Sequence, residues 1–336
     1  MKKTFILLAA AMMAAVSFAQ TVSSSTVEFK YCTTTEGSET KMVVNATFPY
    51  QWHGINWKSE GTQVVTIENA RGCDSILTLT LQSYVPCTHK FAVSDGSYVY
   101  FSPGNLQYQA STGTWRFALD QWGYYGTGGG NETGKTGSTE TPRKTQEEWI
   151  DLFNYGTGCS TSVPAYSVSS SATGNLYTDW GCNIIGTDAA YTWHNLSNAE
   201  WNYLVNKTGF CGTGNVNGVN GLIFLPDDWV LPQNCTWNSD KSTYDDNVYV
   251  NDATTNNWQI MEAAGAVFLP AAGQRKQGQF TVEGANEHGV YWSTDCLSSS
   301  QTSNIWCLDI QEGYISAYGN YNVKVGQSVR LVKYAE

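Results

Sequence analysis

Gly129-Gly-Asn-Glu-Thr-Gly134-Lys135-Thr136 matches the spacing GxxxxGK[ST], in which the amides of a glycine-rich loop cradle nucleotide phosphates. That chemistry needs a buried strand before the loop and a helix N-terminus behind it, so that amides and dipole converge on the anion. Here QWGYYGTG precedes the string and GSTETPRK follows it, so the string reads as a polar glycine loop. The histidines at 53, 89, 194 and 288 are scattered, and none forms HExxH or a His-x-His pair, so zinc has no sequence support. Serines are abundant, yet no GxSxG elbow presents one as a nucleophile. The acidic run from Asp240 to Asp252 offers oxygen atoms to calcium but lacks the regular Asp-x-Asp-x-Asn-Gly loop, and it reads as a solvated loop. The Asn-x-Ser/Thr strings, such as Asn195-Leu-Ser, read as chance matches to a glycan acceptor. No acid, base, nucleophile and metal set converges, so the expectation is a protein that is not an enzyme and carries no cofactor.

Cysteine chemistry is the more informative kind. Nine cysteines in an oxidising compartment read as disulfides with one left over. Cys32 and Cys73 read as the staple of a small core, and proximity pairs Cys159 with Cys182, Cys211 with Cys235, and Cys296 with Cys307, one among the roughly 105 connectivities that eight cysteines allow, with Cys87 as the candidate odd thiol.

The compartment itself is read from MKKTFILLAAAMMAAVSFAQ, where two lysines, a short apolar run and small residues form a secretory signal over 1–19. No later segment is apolar enough for a bilayer, so the expectation is an exported protein without membrane insertion, in the periplasm, at the outer surface or secreted. Eighteen Lys+Arg against 29 Asp+Glu give a net charge of −11. That balance argues against a nucleic-acid partner, which needs concentrated positive charge.

The elements that would position any site fall into two blocks. Over 20–86, TVEFKYC, KMVVNATF, TQVVTIEN and SILTLTLQS alternate with period two, predicting a small all-β, sandwich-like (Ig-like) module. Tyr84-Val-Pro-Cys87 is the expected linker. The block 87–336 is expected to be α+β. Thr145-Gln-Glu-Glu148 and Ser197-Asn-Ala-Glu200 each carry a capping box at the start of a helical pattern, and a third helix is expected over Thr255–Ala264. The last 50 residues return to strands as an antiparallel meander: GVYWST, SNIWCLDI, GYISAY and SVRLVKY.

Two resemblances sit on these blocks. Tyr50, Trp52, Gly54, Gly61, Thr62 and Gly72 through Ser75 resemble a short Gly-Cys-Asp-Ser β module of exported Bacteroidetes proteins, which implies a spacer or adhesion module. Across 90–336, further strings resemble the Fibrobacter succinogenes major paralogous domain and the related DUF1566 group. They include Val99-Tyr-Phe-Ser-Pro-Gly-Asn-Leu-Gln107, Leu225-Pro-Asp-Asp-Trp229, Met261-Glu-Ala-Ala-Gly-Ala-Val-Phe-Leu-Pro-Ala-Ala-Gly273, Gly289-x-Tyr-Trp-Ser and Gly326-Gln-Ser-Val-Arg-Leu-Val332. The resemblance implies a C-type-lectin-like fold with ligand contacts on the last strands, and a surface or adhesive role. The tripeptides by which lectins of that fold hold calcium are missing, and Trp237-Asn-Ser departs at its third position. Cys296 and Cys307 likewise do not match the motif of formylglycine-generating enzymes.

Alternation along the meander sorts its side chains. Val290 and Trp292 share one face of GVYWST, and Tyr291 and Ser293 the other. Trp292, Trp306 and Leu331 are expected in the core. Tyr291, Tyr314 and Tyr318, with Asn320, Tyr321 and Asn322, are the candidate contact surface, since tyrosine and asparagine make large yet wettable contacts. The expected partner is a glycan or a cell-surface protein. The alternative is a structural role in a surface layer or fimbria-like assembly, joined through an exposed edge strand or Cys87.

Overall fold

The structure is a computed structural model that describes residues 35–44, 49–58, 61–68, 74–84, 88–125, 149–158, 165, 179–251, 257–276, 282–298 and 301–335. The signal at 1–19, the Gly129–Thr136 loop, Thr145–Glu148, and Cys32, Cys73, Cys87 and Cys159 lie outside the described residues. Internal contacts divide the chain into two units, Met1–Ser83 and Tyr84–Glu336.

In the first unit the strands are β1 (Thr35–Val44), β2 (Tyr50–Trp52), β3 (Ile55–Trp57), β4 (Gly61–Glu68) and β5 (Asp74–Tyr84). β2 and β3 form a hairpin, and the other three form one sheet in the order β1-β5-β4. The alternation of SILTLTL turns Leu77, Leu79 and Leu81 to one side, where they pack with Trp57 and Trp52. The Trp52 and Trp57 rings lie 5.7 Å apart.

The second unit continues with β6 (Phe91–Ser94), β7 (Ser97–Phe101), β8 (Leu106–Gln109), β9 (Thr114–Phe117), β10 (Trp149–Ile150), β11 (His194–Asn195) and α1 (Asn198–Asn206). Next come β12 (Cys211–Val216), β13 (Val219–Phe224), β14 (Val248–Tyr249), α2 (Asn257–Ala263), β15 (Val267–Pro270), β16 (Ala272–Arg275) and β17 (Val282–Ala285). The meander β18 (His288–Ser298), β19 (Gln301–Gln311), β20 (Tyr314–Asn322) and β21 (Leu331–Tyr334) closes the chain. Four sheets result, ordered β10-β8-β9, β11-β21-β7-β6, β14-β12-β13-β15 and β17-β16-β18-β19-β20.

This corrects the α+β, C-type-lectin-like expectation. Among the described residues the structure is mostly strand, 51% against 9% helix, with two short helices, several sheets and a half-barrel. Much of the discrepancy sits at 149–156, expected to be helical. There Trp149 and Ile150 pair with Gln109 and Tyr108 of β8, and Phe153 bridges to Gln327. Every residue from 150 to 156 is buried, so the chain needs partners on all sides, which an amphipathic helix does not have. α1 does form where its signal lies. Ser197 accepts from the Glu200 amide while the Glu200 carboxylate takes the Ser197 amide at 2.7 Å, and Trp201, Leu204 and Val205 are buried. Trp201 then packs against Phe101 and Phe224, with ring centroids 6.2 Å from each. No helix among the described residues is long and apolar enough to cross a membrane.

Candidate functional site at the last meander

β18, β19 and β20 are neighbours in one antiparallel run, with β20 at its edge. In β18, alternation sorts the rings but leaves neither outside. Tyr291 lies in an apolar cluster with Phe101, Trp201 and Leu308, and Trp292 in another with Phe153, Tyr155 and Cys307. Both are fully buried. Tyr291 is therefore not on a contact surface; its hydroxyl donates to the Pro270 carbonyl at 2.8 Å and accepts from Asn105 Nδ2 at 3.2 Å. Trp292 donates its indole N–H to the Phe153 carbonyl at 2.7 Å. Leu331 is buried as expected, whereas Trp306 is only half-buried, its ring meeting the edge of Tyr318 at 5.6 Å and 89°.

Along β20 the side chains divide again. Tyr314 and Tyr318 are 50% and 54% exposed, and Asn320 is exposed beside them. A bulge interrupts their alternation: Ser316 stands opposite Asp309, but Gly319 stands opposite Cys307. Three steps along β20 thus match two along β19, so Tyr318 and Asn320 turn toward Trp306 rather than continuing the Tyr314 side. Tyr321 points inward, and the Asn322 side-chain Oδ1 accepts from the Lys324 amide at 3.1 Å. On the α1 side, Asn198 Nδ2 donates to the Ala317 carbonyl at 3.2 Å and covers the middle of the strand.

Behind Tyr314 lies a node that sequence reasoning missed. Asp309 accepts from His288 Nε2 at 2.8 Å and Gln311 Nε2 at 3.1 Å on one oxygen, and from the Tyr321 hydroxyl at 2.7 Å on the other. Burial alone would raise the Asp309 carboxyl. The hydrogen bonds from His288 and Tyr321, the charge of His288 and the Gln311 bond hold it below its ordinary value. The Tyr321 phenol is pushed well up, first by burial and then by donating to Asp309. A carboxylate inside the apolar run NIWCLDI is the signal that could have found it, because such a group must collect donors. His288 sits 21 residues away, so spacing gives no clue. Gly319 leaves room for the node, since a Cβ there would stand 2.8 Å from the Asp309 Cβ.

The cysteine scheme changes as well. Cys211, Cys235, Cys296 and Cys307 are free thiols. Cys211 belongs to the Trp201 cluster and Cys235 packs on the one around Trp258, so their sequence proximity does not bring them together. Cys296 faces Ile305 across the hairpin while Cys307 faces Trp292, which makes the two cysteines diagonal neighbours. Such pairs lie about 7–8 Å apart, beyond disulfide reach. Burial pushes the Cys211 thiol up to about 12. Cys182 is disulfide-bonded, and its proposed partner Cys159 lies outside the described residues. The acidic run spends its oxygens locally, Asp240 taking the amides of Lys241 and Ser242 at 2.6 and 3.0 Å. No group of three or more His, Cys, Asp or Glu among the described residues could hold a metal ion.

No family model matches the chain, and no curated protein or solved structure matches it either. The resemblances therefore rest on their quoted strings, and the function on the site.

Proposed function

We propose that the chain is an exported, non-enzymatic recognition protein that holds a glycan or a cell-surface protein on the β20 edge of its second unit. The observation that carries this reading is the pair of half-exposed rings, Tyr314 and Tyr318, presented to either side of an edge strand whose backbone is tied down. Asp309, His288 and Gln311 anchor Tyr321 beneath the strand, and α1 holds its middle through Asn198. Rings presented on a fixed backbone lose little entropy on binding, and their faces suit the C–H patches of sugars. A glycan array probed with the full chain, in calcium and again in chelator, tests the reading. Binding that survives chelator and falls at least tenfold in Tyr314→Ala supports it, and binding untouched by that change removes it. An array silent in both buffers turns the search to pull-downs from the cell envelope with the same variant.

One observation favours a structural component of a surface assembly as the second reading. β4 is an edge strand of the first unit, half-buried only at Val65, and its Val64 is 67% exposed. Such an edge is open to pairing with another chain. Sedimentation showing a strict monomer at high concentration, with no co-purifying partner, counts against it.

A further inference from the structure

His89, Ser102, Gln121, Glu262 and Gly265 contribute to a cleft of about 40 Å³. That is room for about three water-sized groups, far short of a pocket for a whole sugar ring. Gln121 fixes its polarity. Its amide nitrogen donates to Glu262 Oε1 at 2.8 Å and to the Ala266 carbonyl at 3.2 Å, while its oxygen accepts from the Phe268 amide at 2.6 Å and Arg330 Nη2 at 3.1 Å. Both amide hydrogens are thus committed, and Arg330, fully buried, meets the amide on its oxygen side. Ser102 gives its hydroxyl proton to the Gly104 carbonyl at 2.9 Å, so toward the cleft it can only accept. That bond also removes Ser102 from any triad with His89, whose Nδ1 lies 3.0 Å from Asp228 Oδ1. The His89 ring closes over Gly265, where a Cβ would come within 2.5 Å of it. Glu262 receives one hydrogen bond from the described residues, on Oε1, and its Oε2 accepts none.

Of the polar side chains that line the cleft, Gln121 and Ser102 have committed their protons elsewhere, and with Glu262 they leave a lining rich in acceptors. We propose that this cleft is a binding site for a primary ammonium group, accepted by Glu262 Oε2 and Ser102 Oγ. An ammonium brings three donors and a positive charge on a head small enough for the volume. Anions are disfavoured by Glu262 and by neighbouring Asp120. Burial of the Glu262 carboxyl, with Asp120 adding to it, raises its pKa despite the Gln121 bond and Arg330; a bound ammonium would pull it back down.

The test titrates the full chain with methylammonium, Nα-acetyl-lysine methylamide and glycinamide, reading the Glu262 carboxyl by carbon-13 NMR. The expected result is saturable binding of methylammonium with a fall in the Glu262 pKa, and at least tenfold weaker binding in Glu262→Gln. Binding of the lysine analogue alone names a side chain as the natural source, and binding of glycinamide alone names a chain terminus. The proposal is overturned if no amine saturates, if Glu262→Gln binds as well as the parent, or if potassium shifts Glu262 equally. If Glu262→Gln fails to fold, the Glu262 pKa of the parent with and without amine still decides the matter.

Discussion

Tyr291 and Tyr314 lie two strands apart in one antiparallel run and carry the same side chain, yet one is fully buried and the other half-exposed. The difference is position in the sheet. β18 is an inner strand with an apolar cluster against each face, so Tyr291 and Trp292 point to opposite sides and both end in a core. β20 is the edge, and its bulge sends Tyr318 and Asn320 away from the side that Tyr314 takes. Alternation reports which side chains share a face; only the whole fold reports what covers that face.

This contrast is broken most sharply by truncating each strand's ring. Trp292→Ala should cost about 3–5 kcal/mol in denaturant unfolding, the range for a buried aromatic, whereas Tyr314→Ala should stay within about 0.5 kcal/mol. Similar costs at both sites would mean that the edge ring is core after all. A smaller effect is expected at Gly319, where an added Cβ meets the Asp309 Cβ at 2.8 Å and the Cys307 carbonyl at 3.1 Å. Gly319→Ala should destabilise by about 1–3 kcal/mol, measurable as a fall in melting temperature that Tyr318→Ala does not share.

The smallest expected effect is the pH response of Asp309. Its carboxyl is held below its ordinary value in the folded chain. The stability it adds is therefore fully present above about pH 4, where the unfolded carboxyl is ionised, and is lost as the pH falls through the lower folded value. The stability gap between wild type and Asp309→Asn should accordingly hold above about pH 4 and narrow as the pH falls below it. A constant gap would show that the His288–Asp309–Tyr321 node contributes no charge-dependent stability.

Several of these features were legible in the sequence, because they depend on local chemistry. Ser197 and Glu200 mark the start of α1 within four residues, and the half-exposure of Tyr314 and Tyr318 follows from a polar-aromatic strand near the chain end. The stretch 149–156 misled because Trp149, Ile150 and Phe153 carry a helix-like spacing that pairing with β8 and Gln327 overrides. Tyr291 misled because α1 and the β7 sheet cover a face that alternation alone leaves open. The β20 bulge is set by register, and register rather than chain distance places Cys296 and Cys307. His288 and Asp309 meet through strand pairing, which no spacing rule encodes.

The central claim is that the β20 edge is the binding surface. Its most direct test is the affinity of the Tyr314→Ala/Tyr318→Ala double variant for the first ligand found on the array or in the pull-down, measured beside its melting temperature. The account predicts at least a tenfold loss of affinity, about 1.4 kcal/mol, with a melting temperature within a few degrees of wild type. Wild-type affinity in a folded double variant would contradict it.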